Sequence, residues 1–365
     1  MQWEIFFKDV PDFRINRRKK HRLIDILAIS VCAVVCGAND FEEIAMYGNQ
    51  KKDFLHTFLE LSNGIPSHDT FYRVFKFLDK KTFSECLYRW SKELLSTINE
   101  GYTQINIDGK VLRATAKSGS KKSGICLISA WVSEHELVLG QQRVDGKSNE
   151  KTAIPELLDS LDLENSIVTI DAIACECKNA DLITAKKGHY VLALKNNNKH
   201  IYQQVSERMK QNYSQLANYQ DIDFGSGRIE TRTCYVENNL TLYDDLADWT
   251  HLKSIVLIES KREVKGIVSI ETRYYLSNLT LSPKDFNTVI RNHWSIENKL
   301  HWKLDVVFLE DLQRTKSINA PENLAIVRKL ALQMLNRVQD KESIKNRRKI
   351  AGWSDQYLLK VSNNI

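Results

Sequence analysis

Three acidic side chains stand where the sequence gives no ordinary reason for a charge. Asp108 closes the alternating run Gln104-Ile105-Asn106-Ile107, and Asp171 closes Val168-Thr169-Ile170. An acid at the end of an apolar strand is costly to bury unless it has a partner. Gly109 leaves room for close approach beside Asp108, and Lys110 offers a charge to phosphate. The third acid, Glu297, comes from a helix opened by Ser282-Pro283-Lys284-Asp285, a capping box with Pro at the first helical position. At about 100° per residue, Phe286, Ile290, His293, Leu300, His301 and Leu304 fall within roughly 60° of Glu297. The expectation is a carboxylate on an apolar helix face, which must be paired, protonated or bound to a cation.

Three convergent carboxylates form a hard, oxygen-rich site suited to Mg²⁺ or Mn²⁺. Such sites serve two-metal phosphoryl transfer, with ions about 3.5–4 Å apart on the attacking and leaving oxygens. Water as nucleophile nicks DNA, and a 3′-hydroxyl as nucleophile joins DNA to a target. Other readings stay open at this level. Asp108 before Gly could be a turn residue, Asp171 a helix cap and Glu297 a core ion-pair partner. Asp305, Glu310 or Asp311 could supply the third ligand instead.

The elements that must position these residues follow from periodicity. Residues 1–100 read as helical: Leu23 to Val35 is apolar all round and ends at Gly37, and a second helix starts after Asn39-Asp40. Gly64 to Asp69 forms a turn with helix–turn–helix spacing. From residue 103 three strands (104–108, 125–132, 137–144) precede a helix at 149–161, a strand at 166–173, a helix near 179–187 and a strand at 190–194. This order predicts an α/β fold, a mixed sheet flanked by helices, with the first and fourth strands adjacent. Residues 101–198 and 281–340 make up the expected core. Residues 199–280 read as a β-rich insertion containing a hairpin across Val264-Lys265-Gly266, and 341–365 as a basic C-terminal tail.

Composition bounds the class. A chain of 365 residues with 42% hydrophobic and 27% charged residues is long enough for more than one domain. The net charge of +6 is concentrated in Arg14–Arg22 and Lys341–Lys349, runs that are solvated faces or phosphate contacts. Seven cysteines without paired zinc spacing read as reduced thiols of a cytoplasmic protein. The apolar run at 23–38 contains Asp25 and is too short to span a bilayer, so no membrane partner is expected.

The motifs together resemble the H-repeat-associated transposases of the ISAs group of bacterial insertion sequences, within the DDE superfamily. The matching stretches are Gly64-Ile-Pro-Ser-His-Asp-Thr-Phe71, Ile107-Asp-Gly-Lys-Val-Leu-Arg113, Lys147-Ser-Asn-Glu150, Val168-Thr-Ile-Asp-Ala172 and His293-Trp-Ser-Ile-Glu-Asn298. The last continues through Leu300-His-Trp302 and Leu304-Asp-Val306 to Glu310-Asp311. The resemblance implies a ribonuclease-H-like fold with a helical N-terminal domain. It also implies that Asp108, Asp171 and Glu297 are the catalytic, metal-binding acids. The activity implied is Mg²⁺-dependent (or Mn²⁺-dependent), two-ion cleavage at the element's terminal repeats and strand transfer into target DNA. The need to hold two ends at once, rather than any motif, makes a homo-oligomer on DNA the expectation.

The chain departs from related DDE transposases in three places. The Tyr, Arg and Lys often found seven and four residues before the Glu and seven after it are Ile290, His293 and Leu304 here. The Lys-x-Asn-Gln motif reads Lys195-Asn-Asn-Asn198, and Glu176 replaces a usual Gln. Lys110, Arg113, Lys147 and Lys195 flank the strand ends where DNA phosphates would lie, and His293 shares the Glu297 face, so these five are the expected DNA contacts.

Overall fold

The protein is described from a computed structural model covering residues 3–97, 101–116, 124–144, 150–225, 227–249, 251–317 and 319–363. Its N-terminal part is helical: α1 (Trp3–Phe6), α2 (Leu23–Val35), α3 (Phe41–Gln50), α4 (Lys52–Leu55), α5 (His68–Phe77) and α6 (Lys80–Ser96). Strands β1 (Thr103–Leu112), β2 (Ile125–Val132) and β3 (Leu137–Val144) form an antiparallel meander. Next come α7 (Glu150–Ser160), β4 (Ser166–Ile170), α8 (Cys177–Ala185) and β5 (His189–Leu194). Both β4 and β5 run parallel to β1. The order β3-β2-β1-β4-β5, with only β2 reversed relative to its neighbours β1 and β3, is the ribonuclease-H-like arrangement.

After α9 (Lys199–Asn212) the chain forms β6 (Ala217–Gly225), β7 (Arg228–Glu237), β8 (Ser254–Val264) and β9 (Ile267–Ser277). These strands are not a separate unit. Antiparallel pairing of β9 with β5 makes one nine-stranded sheet in the order β3-β2-β1-β4-β5-β9-β8-β7-β6. The expected hairpin is present: Val264 pairs with Ile267, and Lys265 and Gly266 between them have φ of 51° and 77°. Positive φ at both central residues matches the strand twist, which is why glycine is used there.

The C-terminal part comprises α10 (Pro283–His293), a π-turn segment (Ile296–His301), α11 (Trp302–Val306), α12 (Ala320–Asn336), α13 (Ile344–Trp353) and α14 (Asp355–Ser362). One face of the sheet buries Ile105, Ile107, Val168 and Leu192 against α7, α8 and α9. The opposite face packs Ile167, Val191 and Val256 against Phe286 and Ile290 of α10. A third core joins α2, α5, α6 and α12 and reaches Trp131 of β2 and Val138 of β3. Among the described residues no helix is long and apolar enough to cross a membrane. All seven cysteines carry free thiols.

The basic C-terminal run departs most from its expected solvated tail. Arg347 and Arg348 are buried, and their guanidinium groups donate to main-chain carbonyls at or near helix ends. Arg347 donates to Leu335 at 2.6 Å and pairs with Asp340 at 2.8 Å. Arg348 donates to Val34 at 2.9 Å and Ala38 at 3.3 Å, and also reaches Val307. These arginines fasten α13 to α2 and α12. The N-terminal run is also partly paired, Arg14 with Asp12 at 2.9 Å and Arg22 with Glu4 at 2.7 Å and with Glu60.

Candidate active site

Asp108 does not end its strand. β1 continues to Leu112 along β2, where Asp108 faces Ser129, but its parallel ladder with β4 stops at Ile107 and Ile170. One step further on each strand lie Asp108 and Asp171, neighbours across the sheet at about the 4.8 Å inter-strand spacing. Alternation puts both on the face that also carries Gln104, Asn106 and Thr169. The opposite positions, Ile105, Ile107, Val168 and Ile170, are core.

That polar face is what holds the C-terminal helix in place. Gln104 Nε2 donates to the Val289 carbonyl at 2.8 Å, and Asn106 Nδ2 and Ser133 Oγ both lie 3.3 Å from the Asn292 carbonyl. Asn106 Nδ2 also bonds Ser133 Oγ, which is 2.5 Å from Ser295 Oγ. Asn106 Oδ1 accepts from Gln104 Nε2 and Thr169 Oγ1, each at 2.7 Å. Because the single Thr169 proton points to Asn106, its oxygen accepts from His293 Nδ1 at 2.7 Å. This fixes His293 as the Nδ1–H tautomer and leaves Nε2 as an acceptor.

Glu297 is on this helix but not on its buried face. It is exposed, whereas Ile296, Leu300 and Leu304 are buried. The reason is the π-turn over Ile296–His301, in which the Trp302 N–H returns to the Glu297 carbonyl five residues back. A wider turn advances each residue by less than 100°, so the buried stripe slips relative to an ideal helix and Glu297 moves to its solvent edge. The Ser282 cap and Pro283 that start the helix are as expected, with Ser282 Oγ accepting from the Asp285 N–H at 3.2 Å.

The two aspartates have different partners. Asp171 accepts from Lys195 Nζ at 3.0 Å in a half-exposed pair. Burial pushes its carboxyl up, but the Ala172 N–H and Lys195 outweigh this and hold it below the usual carboxylate range. Asp108, less exposed, lies 3.5 Å from His301 Nδ1. The two histidines therefore attend different aspartates, His301 beside Asp108 and His293 near Asp171. Among the described residues no three His, Cys, Asp or Glu side chains form a metal-binding group. The sheet register makes Asp108 and Asp171 neighbours, and Glu297 stands apart at the helix edge.

The other expected DNA contacts divide. Lys195 and Arg113 are exposed, the latter 3.3 Å from Asp311. Lys147 lies outside the described residues. Lys110 does not fit a phosphate contact: its side chain is largely covered and set among acids, bonded to Asp305 and to Glu310 at 2.8 Å. His293 is also a poor phosphate partner, since burial, reinforced by Arg273 and Lys195 against Asp171, lowers its pKa to about 4 and leaves it neutral. Glu176 does not load its charge onto Asp171, being clamped by Lys151 at 2.8 Å and Lys178 at 3.1 Å.

His301 escaped notice as an Asp108 neighbour because only the π-turn brings it there. Burial, with Lys329 and Lys110 nearby, lowers its pKa to about 3. Both histidines thus fold as neutral rings with depressed pKa values. Their stabilising contribution is complete above the ordinary value of 6.5 and is lost as pH falls toward about 4 and 3. Denaturation midpoints measured from pH 8 to 4 should decline below about pH 6.5, and His301→Gln should make that decline shallower.

Comparisons with known proteins place the chain in a family. A family model described as Transposase DDE domain matches residues 99–334, and one described as DDE_Tnp_1-associated matches residues 5–91. The chain belongs to the DDE transposase family. Among its relatives is the transposase-named YncI of Escherichia coli O157:H7, 36% identical over 96% of this chain and 92% of that one. The H repeat-associated, transposase-named YhhI of Escherichia coli K12 is 35% identical over 96% of this chain and 95% of that one. Among solved structures, a piggyBac transposase synaptic complex with hairpin DNA aligns over 98% of this chain and 80% of that one, at 12% identity and a TM-score of 0.45. The family assignment does not depend on that distant likeness.

Proposed function

We propose that this transposase cuts DNA at the terminal repeats of its insertion sequence and joins the freed 3′-ends to target DNA, with Asp108, Asp171 and Glu297 holding two Mg²⁺ (or Mn²⁺) ions. The observation that carries this reading is the register of β1 and β4, which puts two acids side by side on the sheet face that α10 and its π-turn cover. The donor set fits hard divalent cations: carboxylate oxygens, one of them kept ionised, and no thiolate among them. When bound, such ions activate an attacking oxygen and stabilise the leaving one.

The chain's own residues supply the rest. Lys195, on the exposed side of Asp171, can swing from that carboxylate onto a DNA phosphate as the site fills. Neutral His293 keeps Thr169 and Asn106 fixed, and through them the helix that bears Glu297. Glu297 is exposed, and among the described residues no ion pair holds it away from the aspartates. Two ends must be cut together, which calls for at least two copies of the chain on DNA.

The test is a duplex carrying the element's own end, incubated with full-length protein in Mg²⁺ or in EDTA. Nicking in Mg²⁺ alone, followed by a joined product when target DNA is added, is the expected result. Nicking without joined product would leave a nuclease, and binding without nicking an inactive relic.

A further inference from the structure

We infer that Lys110, Asp305 and Glu310 are positioning residues that hold the Glu297 helix in register against the strand carrying Asp108. This rests on the proposed metal site above. The geometry is a two-point staple. Asp108 and Lys110 are alternate residues on one face of β1, and His301 and Asp305 are one turn apart on the facing helix. His301 Nδ1 lies 3.5 Å from Asp108, and Lys110 Nζ bonds Asp305. Glu297 is one turn before His301, so sliding or rotating this helix moves Glu297 relative to Asp108.

Glu310 anchors the staple from behind. Its side chain is 1% exposed, and Oε2 accepts from Lys110 Nζ at 2.8 Å. Two further buried cations of α12 stand nearby and are themselves tied down. Lys329 donates to Gln141 of β3 at 2.6 Å, while Arg328 bonds Gln313 and the Asn39 carbonyl, the latter at 2.8 Å. Leu309, immediately before Glu310, is held in the left-handed region at φ 51°, a conformation a branched side chain adopts only when its surroundings impose it. A buried carboxylate on a strained turn, joined to a largely covered lysine, is poor economy for stability alone, since apolar residues of similar volume would serve as well. Its use is a fixed distance between β1, α11 and α12.

The test uses the full chain with Glu310→Gln and Asp305→Asn beside wild type. It reads Mn²⁺ affinity by calorimetry, end-nicking against Mg²⁺ concentration, and hydrogen exchange of amides 296–306. Asp305, the more exposed partner, serves if the buried Glu310 variant fails to fold. The expected result is a metal requirement raised about tenfold, equivalent to about 1.4 kcal/mol, with faster exchange confined to 296–306 and the KM for DNA within about twofold of wild type. Wild-type metal affinity and wild-type exchange in a variant that is merely less stable would overturn the inference. Absence of Mn²⁺ binding by wild type would overturn the parent metal-site reading instead. The double variant Lys110→Met with Glu310→Gln should be no worse than the worse single, as expected of residues acting as one unit.

Discussion

Asp108→Asn and Asp171→Asn should each leave DNA binding intact and slow end cleavage by roughly 10³-fold, about 4 kcal/mol of lost transition-state stabilisation. Both substitutions keep side-chain shape while removing the charge that a hard cation needs. At Asp171 the fold is expected to tolerate the change, because the carboxylate is half-exposed and its partner Lys195 can turn to solvent. At Asp108 the neighbouring His301 is neutral, so the substitution leaves no charge stranded on that ring. Gel-shift affinity and single-turnover nicking of the same end duplex separate the two effects. Glu297→Gln should match the aspartate variants, whereas Asp305→Asn should lose only about tenfold, as a misplaced helix would. A fully active Glu297→Gln beside an inactive Asp305→Asn would move the third ligand one π-turn and one α-turn down the chain.

The sheet was legible in the sequence wherever each strand carries its own alternation. Gln104 to Asp108 shows polar and apolar faces in turn, and the structure uses both, Ile105 and Ile107 in the core and Gln104 and Asn106 on the helix. The adjacency of the strands that carry Asp108 and Asp171 was legible for the same reason. Two things were not legible. The pairing of β9 with β5 joins residues 80 or more positions apart, and no local period encodes it, so the β-rich segment read as an insertion rather than as the outer half of one sheet. The π-turn is likewise silent in a helical wheel, which assumes 100° throughout. A single wider turn after His293 moved Glu297 to the solvent edge and brought His301 to Asp108. π-turns recur at functional sites, and this one falls on the residue proposed as the third carboxylate.

Charge runs misled in a different way. Arg347 and Arg348 looked like a solvated tail, because a sequence shows that a residue is charged and not what it touches. Arg348 provides the sharpest stability prediction: Arg348→Met should destabilise the protein by roughly 3–5 kcal/mol. Its guanidinium is buried, donates to the carbonyls of Val34 and Ala38 at the end of α2 and to that of Val307 after α11, and stacks 4.3 Å from the centre of the Phe308 ring. Methionine would fill much of the volume and keep contact with Phe308 but donate to none of these carbonyls; Val34 keeps the Gly37 N–H at 3.3 Å, Ala38 and Val307 lose this donor, and a buried acceptor left unpaired costs about 1–3 kcal/mol. An exposed member of the same run, Lys345, has no such duty, and Lys345→Met should change stability by no more than about 0.5 kcal/mol. Urea midpoints for the two variants measure the contrast directly. Equal midpoints would mean that water reaches those carbonyls once the arginine is gone, and that α13 is held by its apolar contacts alone. Because Val307 lies just beyond the helix that carries Glu297, loss of this clamp should also weaken end cleavage at temperatures where the variant is still folded, coupling the C-terminal helices to the active site through a single side chain.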